Sequence, residues 1–174
     1  VRDVREVASA LRDPRARGNA VLVFLHERLL KAYVEDQTRV DVALQGGRYN
    51  CVSSAVLYMI FARAVDLPVV GVRTRDHAFA AVRVGGALVD VETTNAYGFD
   101  PGEKHEFHDR FGRTTGFTYV PANRDPSRVE TDERGLLSLI AQNLASLATQ
   151  QRQFAAALAP AVDAHALARD EESR

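Results

Sequence analysis

The sequence contains a single cysteine, Cys51, among 174 residues. One cysteine excludes an internal disulfide framework and any zinc site that needs several cysteines. Long apolar runs are also missing, and without about eighteen consecutive apolar residues no transmembrane helix is expected. The formal net charge is only −1, which argues against a nucleic-acid-binding protein that depends on a large excess of positive charge.

The remaining composition is that of an ordinary soluble globular domain. Hydrophobic residues make up 46% of the chain and charged residues 26%, close to the average for folded domains. The length suits one domain, or one domain with a small appendage, and it is sufficient to bury a hydrophobic core. No feature of the sequence indicates a cofactor.

Apolar spacing predicts helices near the start of the chain and in its middle. Near the start, the spacing of three and four is broken once, at Asp13-Pro14, which predicts two helices or one interrupted helix. Residues 51–65 are apolar on nearly every side, as expected of a central buried helix. Asn50 stands where the N-cap of that helix should be.

A change to the period of two predicts strands after this helix. Two runs rich in small and β-branched residues, 78–84 and 87–91, flank Gly85-Gly86 and predict a β-hairpin with a two-residue loop. Other segments follow from similar signals: a turn at 45–47, short strands at 69–72 and 117–120, a loop at 95–116, a polar linker at 121–132, and two helices after 135 with a turn near 150–153. The sequence predicts an α+β fold, with a domain at 1–125 and a C-terminal helical pair at 126–174.

Cys51 falls in the first turn of the predicted central helix. A helix N-terminus carries a partial positive charge and free N–H groups, and both favour a thiolate over a thiol. The same N–H groups can bind an oxyanion. The position suits a nucleophile, while a buried apolar role, which is common for free cysteines, is the other interpretation.

His77, at the start of the first hairpin strand, is the candidate base. If Gly85 and Gly86 form the loop, the numbers of cross-strand partners sum to 171, and Glu92 becomes the diagonal neighbour of His77 on the same face. The two backbones are then about 7 Å apart, within reach of the side chains. Asp90 shares this face but is roughly 13 Å from His77, and it is the reserve orienting group because a β-bulge would shift the register.

A cysteine, a histidine and a carboxylate together form a nucleophile, a base and a group that orients the base. In this scheme His77 takes the proton of the Cys51 thiol, and Glu92 holds the imidazole. The thiolate attacks an acyl carbon, and His77 then protonates the leaving amine. Gln45 precedes Cys51 by six residues, and it is either a second oxyanion donor beside the Cys51 N–H or an ordinary loop glutamine.

The three candidate residues lie in motifs that follow one another along the chain: Tyr49-Asn50-Cys51-Val52-Ser53-Ser54-Ala55, Asp76-His77-Ala78-Phe79 and Val89-Asp90-Val91-Glu92-Thr93-Thr94-Asn95. In this order and spacing, over roughly residues 40–100, they resemble the transglutaminase-like superfamily. The usual third motif of that superfamily is an acidic residue, a small residue and threonine. Glu92-Thr93-Thr94 matches it with glutamate in place of the commoner aspartate, so the resemblance selects the same carboxylate as the hairpin register.

The resemblance implies a papain-like fold, with the cysteine-bearing helix packed on an antiparallel sheet, and a protein of the bacterial branch. One unpaired cysteine is compatible with either the cytoplasm or the periplasm, so the sequence does not give the compartment. The resemblance also implies thiol-dependent hydrolysis of a peptide or amide bond in a peptide or protein substrate. Transfer of the acyl group to an amine and a catalytically idle, protein-binding scaffold are the alternatives. The sequence lacks the tryptophan near the histidine and the acidic calcium loop of the animal cross-linking enzymes, which argues against cross-linking.

The C-terminal helical pair carries small residues at Ala145, Ala148, Ala157, Ala161 and Ala164, a spacing that resembles a tetratricopeptide repeat. A single repeat does not bury its own faces and normally stacks on others, so the pair is a candidate surface for a protein partner. A plain alanine-rich hairpin packed on the catalytic domain is the other interpretation.

Two weaker sets of residues complete the candidates. Asn95, Tyr97 and Phe99 lie in the loop that follows Glu92, where they either line the substrate cleft or cover the edge of the core. The histidines and acidic residues of 105–109 are metal-ligand types. Their spacing is not that of a zinc-binding helix, so no metal site is predicted.

Overall fold

A four-stranded antiparallel sheet and a set of helices make up the computed structural model, which describes residues 2–102, 104–121 and 124–172. This mixed architecture confirms the prediction of helices combined with an antiparallel sheet. The elements in the described ranges are α1 (Arg2–Ala8), α2 (Pro14–Arg28), β1 (Ala32–Tyr33), α3 (Val40–Gly46), β2 (Arg48–Tyr49), α4 (Cys51–Arg63), β3 (Val69–Arg73), β4 (Ala78–Val84), β5 (Ala87–Val91), α5 (His105–Thr115), β6 (Val129–Thr131), α6 (Glu133–Gln150) and α7 (Phe154–Glu172).

Helix α4 is the centre of the hydrophobic core, as its apolar circumference predicts. Ten of its thirteen residues are buried. The fully buried Tyr58 donates a hydrogen bond from its hydroxyl to the carbonyl oxygen of Gly18 in α2, at 3.1 Å. A Cβ at Gly18 would overlap the ring of Phe99, so the close approach of α2 and the segment after β5 requires glycine here.

The sheet has the strand order β5-β4-β3-β6, and its central hairpin has the predicted register. Val84 pairs with Ala87 and Ala80 with Val91, without a bulge between them. Both loop glycines have positive φ, +58° and +86°, which is the backbone that a two-residue hairpin loop needs. The register therefore carries the side chains of 77 and 92 to neighbouring positions at the open end of the hairpin.

The segment after residue 125 contributes to the sheet as well as to the helical pair. Strand β6 pairs with β3, with Gly71 opposite Thr131. Helix α6 follows at once and buries Leu136 against α4 and the sheet. Helix α7 packs on α6 and leaves an apolar row exposed, consisting of Phe154, Leu158 and Val162. None of the described helices is long and apolar enough to cross a membrane.

Three local predictions are wrong. Residues 95–116 are not all loop, because α5 forms there and buries Phe107 and Phe111, which are one helical turn apart. Residues 45 and 46, predicted as part of a turn, are instead the end of the short helix α3, which is capped by Gly47 with a φ of +70°. Residues 117–120 are irregular, and the strand of this region is β6, within the segment predicted as linker.

Candidate active site

The N-terminus of α4 is fixed by a capping box around Asn50. Its Oδ1 accepts hydrogen bonds from the backbone N–H groups of Val52 and Ser53, both at 3.1 Å, and Ser53 Oγ accepts from the N–H of Asn50 at 2.9 Å. The N–H of Ser54 donates to the carbonyl oxygen of Asn50. Among the described residues the N–H of Cys51 has no such partner, so it is free to donate to an oxyanion.

His77 and Glu92 form a buried pair beside this helix end. The distance from His77 Nε2 to Glu92 Oε2 is 2.7 Å, and the two side chains are 9% and 0% exposed. The other ring nitrogen, Nδ1, is buried and has no hydrogen-bond partner among the described residues. Because Glu92 occupies Nε2, Nδ1 is the nitrogen left to exchange a proton with the Cys51 thiol.

The surroundings of His77 favour its protonated form. Burial by itself would lower the pKa of His77. The negative charge of Glu92 and the interaction with the Cys51 thiol outweigh burial, so the pKa of His77 is raised above its ordinary value. An imidazolium beside the Glu92 carboxylate is the charge state that this arrangement stabilises.

Glu92 is held by hydrogen bonds to both of its carboxylate oxygens. Oε1 accepts from the hydroxyl of Thr94 at 2.8 Å and from the N–H of Thr94 at 3.2 Å. The carbonyl oxygen of Thr94 in turn accepts from the hydroxyl of Tyr49, at 3.2 Å. These bonds offset the cost of burying a carboxylate. The sequence does not single out either residue, although Thr94 belongs to the third motif and Tyr49 to the first.

A cavity of about 300 Å³, which we call the thiol cavity, opens beside Cys51. Cys51 is partly exposed to it. Its wall includes Tyr33, Cys51, His77, and residues of α6 such as Asn143 and Leu147. The C-terminal helical pair therefore contributes one wall of the candidate site, which the division of the chain at residue 125 does not suggest.

Tyr33 is a further polar group in the thiol cavity. The pairing of β1 with β2 places it opposite Tyr49, and the two rings meet edge to face with centroids 5.9 Å apart. Burial raises the pKa of Tyr33, and the negative charge of Cys51 raises it further. The phenol therefore stays protonated and can donate a hydrogen bond inside the cavity.

A second cavity, of about 320 Å³, also borders His77. We call it the aromatic cavity because its wall includes Phe79, Phe111, Phe117 and Tyr119. Three of these rings pack on the imidazole of His77, with centroids 6.0 Å away for Phe79, 5.6 Å for Phe111 and 5.4 Å for Phe117. The rings fix the imidazole and shield the pair it forms with Glu92 from water.

Asp90, the reserve orienting group, is engaged elsewhere. Its carboxylate accepts a hydrogen bond from the Tyr119 hydroxyl at 2.6 Å and forms an ion pair with both terminal nitrogens of Arg128. Arg128 also lies over the ring of Phe79, 5.0 Å from its centroid. Asp90 therefore holds Tyr119 and Arg128 against the sheet, and it is Glu92 that contacts His77.

The other sequence candidates are not among the described residues that line the thiol cavity. Gln45 is on the exposed surface of α3. Phe99 is in the hydrophobic core, and Asn95 is buried with its Oδ1 accepting from the N–H of Tyr97 at 2.9 Å. Tyr97 is 44% exposed and lies under the guanidinium of Arg110. The loop after Glu92 thus covers the edge of the core.

The histidines and acidic residues of 105–109 lie on α5. His108 uses Nε2 to contact the carbonyl oxygen of Gly102, at 2.8 Å. Within the part of the chain that the structure describes, no group of three or more histidine, cysteine or acidic residues is arranged to hold a metal ion. Helix α5 serves the site through Phe107 and Phe111 on its opposite, buried face.

Comparison of the chain with protein-family models, with curated proteins and with solved structures found no match.

Proposed function

We propose that the protein is a cysteine-dependent acyl-transfer enzyme that hydrolyses a peptide or amide bond. The observation that carries the proposal is the buried contact of His77 Nε2 with Glu92 Oε2, which leaves the buried Nδ1, beside Cys51, with no hydrogen-bond partner among the described residues. A structural histidine would satisfy both ring nitrogens, since an unpaired buried polar atom is costly. Exchange of a proton between Nδ1 of His77 and the Cys51 thiol accounts for the missing partner of Nδ1.

In the proposed reaction Cys51 attacks as the thiolate, its proton residing on Nδ1 of His77. The new S–C bond converts the carbonyl to a tetrahedral oxyanion, which the N–H of Cys51 and the hydroxyl of Tyr33 stabilise. The C–N bond then breaks, and Nδ1 gives its proton to the leaving amine. Water adds to the thioester after losing a proton to His77, and the acid leaves as the S–C bond breaks.

The same proposal places the chain in the transglutaminase-like superfamily, with a papain-like arrangement of its core. Three observations support this: the cysteine begins the buried helix, the histidine and the carboxylate lie at one end of an antiparallel hairpin, and the order along the chain is cysteine, histidine, carboxylate. Glu92 takes the place of the aspartate that is commoner in that superfamily.

The test is to incubate the protein with a mixture of synthetic peptides and to follow both cleavage and mass added to Cys51. We expect cleavage products and a thioester on Cys51 that decays in water, and neither in Cys51→Ala. Glycine ethyl ester in the same assay separates the two acyl-transfer functions, because an amine acyltransferase would give mainly the amide of the added amine. A protein that neither cleaves peptides nor forms the thioester would be the idle scaffold.

A further inference from the structure

The thiol cavity and the aromatic cavity are adjacent. Both are lined by the turn between β3 and β4, from Thr74 to His77, and by the side chain of Phe117. Cys51 lines the thiol cavity but not the aromatic cavity. A substrate that spans this boundary therefore has its acyl carbon at Cys51 and another part of the molecule beyond His77.

The chemistry of the proposed reaction decides which part lies beyond His77. The imidazole must give its proton to the leaving nitrogen, so that nitrogen sits between the sulfur of Cys51 and Nδ1 of His77. The substituent on the nitrogen then extends on the His77 side of the thiol, toward the aromatic cavity. The acyl part remains in the thiol cavity, between Cys51 and the wall formed by α6.

The walls of the aromatic cavity suit an aromatic group. The half-buried Phe117 and Tyr119 present ring surface, the buried Phe79 and Phe111 lie behind them, and Val120 adds an aliphatic side chain that is 40% exposed. Aromatic groups gain from edge and face contacts with such rings in addition to the burial of apolar area. The charged side chains in the lining, which include Arg124 and Asp125, are of both signs and favour no net charge on the ligand.

We propose that the aromatic cavity is the leaving-group subsite and that it takes an amine with an aromatic substituent, such as the residue that follows the cleaved bond in a peptide. The inference rests on the proposed function and adds the substrate class. In this proposal the rings around His77 have two roles, since they form the floor of the subsite and orient the imidazole.

The experiment compares two alkylating agents, iodoacetamide and N-benzyl-2-iodoacetamide. In both reactions the thiolate forms a bond to the methylene carbon and iodide leaves. Only the second reagent carries a benzyl group, on an amide nitrogen that lies one carbon further from the sulfur than the leaving nitrogen of a substrate. The rate of each reaction with Cys51 is divided by its rate with glutathione, which removes the intrinsic difference in reactivity.

We expect the normalised rate of the benzyl reagent to exceed that of iodoacetamide by about tenfold, the factor that corresponds to partial burial of one ring. Val120→Asp and Thr118→Trp, which charge or fill the aromatic cavity, should bring the ratio close to one. Val7→Asp is the matched control, since Val7 is also exposed, at 54%, and lies on α1. This control should keep the wild-type ratio.

Two results would overturn the inference while leaving the proposed function intact. One is a ratio near one in the wild type, and the other is a high ratio that both cavity variants retain. Failure of the proposed function has a different signature, because plain iodoacetamide would then react equally slowly with the wild type and with His77→Ala below neutral pH. That result would overturn the inference together with the function.

Discussion

His77 and Glu92 meet at the open end of the β4–β5 hairpin, with 2.7 Å between Nε2 and Oε2. The carboxylate is fully buried and the imidazole nearly so, and each is the charged partner that the other needs. The contact leaves Nδ1 for the thiol. The proton-transfer chemistry proposed for the site depends on this one contact.

Replacing Glu92 by glutamine keeps the shape of the side chain and removes its charge. Without the carboxylate, the pKa of His77 loses the largest of the contributions that raise it, and the ring loses its fixed orientation. We expect the rate of peptide cleavage to fall by about a hundredfold or more. The measurement is kcat on the best peptide of the mixture, with circular dichroism to verify that the variant is folded. Cleavage within about twofold of the wild type would show that Glu92 has no orienting role.

Asp90→Ala tests whether Asp90, the reserve carboxylate, has any part in orienting His77. The substitution leaves the guanidinium of Arg128 buried without its partner, since the two side chains are only 9% and 11% exposed. We expect a loss of about 3 kcal/mol in the free energy of unfolding, measured with urea. The pH dependence of Cys51 alkylation should stay that of the wild type, and a profile like that of His77→Ala would instead assign the orienting role to Asp90.

Tyr33→Phe removes one hydroxyl from the thiol cavity. If Tyr33 donates to the oxyanion, cleavage should slow by about tenfold to a hundredfold. Alkylation of Cys51 by iodoacetamide passes through no oxyanion, so its rate should change by less than about twofold. Equal losses in both assays would mean that Tyr33 only supports the packing around the thiol. Tyr97→Phe, on the exposed loop, is the matched control.

His26 makes the free energy of unfolding depend on pH, and this effect is separate from catalysis. Burial lowers the pKa of His26 to about 4, although its Nε2 lies 3.1 Å from the carbonyl oxygen of Thr93. The unfolded chain therefore binds a proton on His26 below about pH 6.5 while the folded protein does not. The free energy of unfolding should fall by roughly 3 kcal/mol between pH 6.5 and pH 4 through this residue.

The measurement is urea unfolding across this range for the wild type and His26→Asn. In His26→Asn the free energy of unfolding should fall much less between pH 6.5 and pH 4 than it does in the wild type. His105→Asn is the control, because His105 is exposed on α5 and its replacement should leave the decline unchanged. Parallel curves for the wild type and His26→Asn would contradict the assignment.

The hairpin and its carboxylate could be predicted because their signals are local. Gly85-Gly86 fixes the loop, the loop fixes the register, and the period of two then brings Glu92 to His77. The start of α4 could be predicted for the same reason, because Asn50 caps the helix through hydrogen bonds to residues no more than three positions away.

The rest of the site depends on contacts between distant segments. Tyr33 reaches the thiol through the pairing of β1 with β2, which are two residues long and carry no periodic signal. The pairing of β3 with β6 and the packing of α6 beside Cys51 join segments far apart along the chain. Helix α5 had a usable signal, the four-residue spacing of Phe107 and Phe111, which the surrounding glycines obscured.

The most direct test of the central claim is the rate of Cys51 alkylation by iodoacetamide as a function of pH. It compares the wild type, His77→Ala and Glu92→Gln. A thiolate–imidazolium pair predicts that the wild type reacts rapidly at about pH 6, where an ordinary thiol is almost fully protonated. His77→Ala should react only as the pH approaches about 8.5, and Glu92→Gln should lie between the two. Profiles that coincide in all three proteins would contradict the account, because Cys51 would then be a thiol that neither His77 nor Glu92 influences.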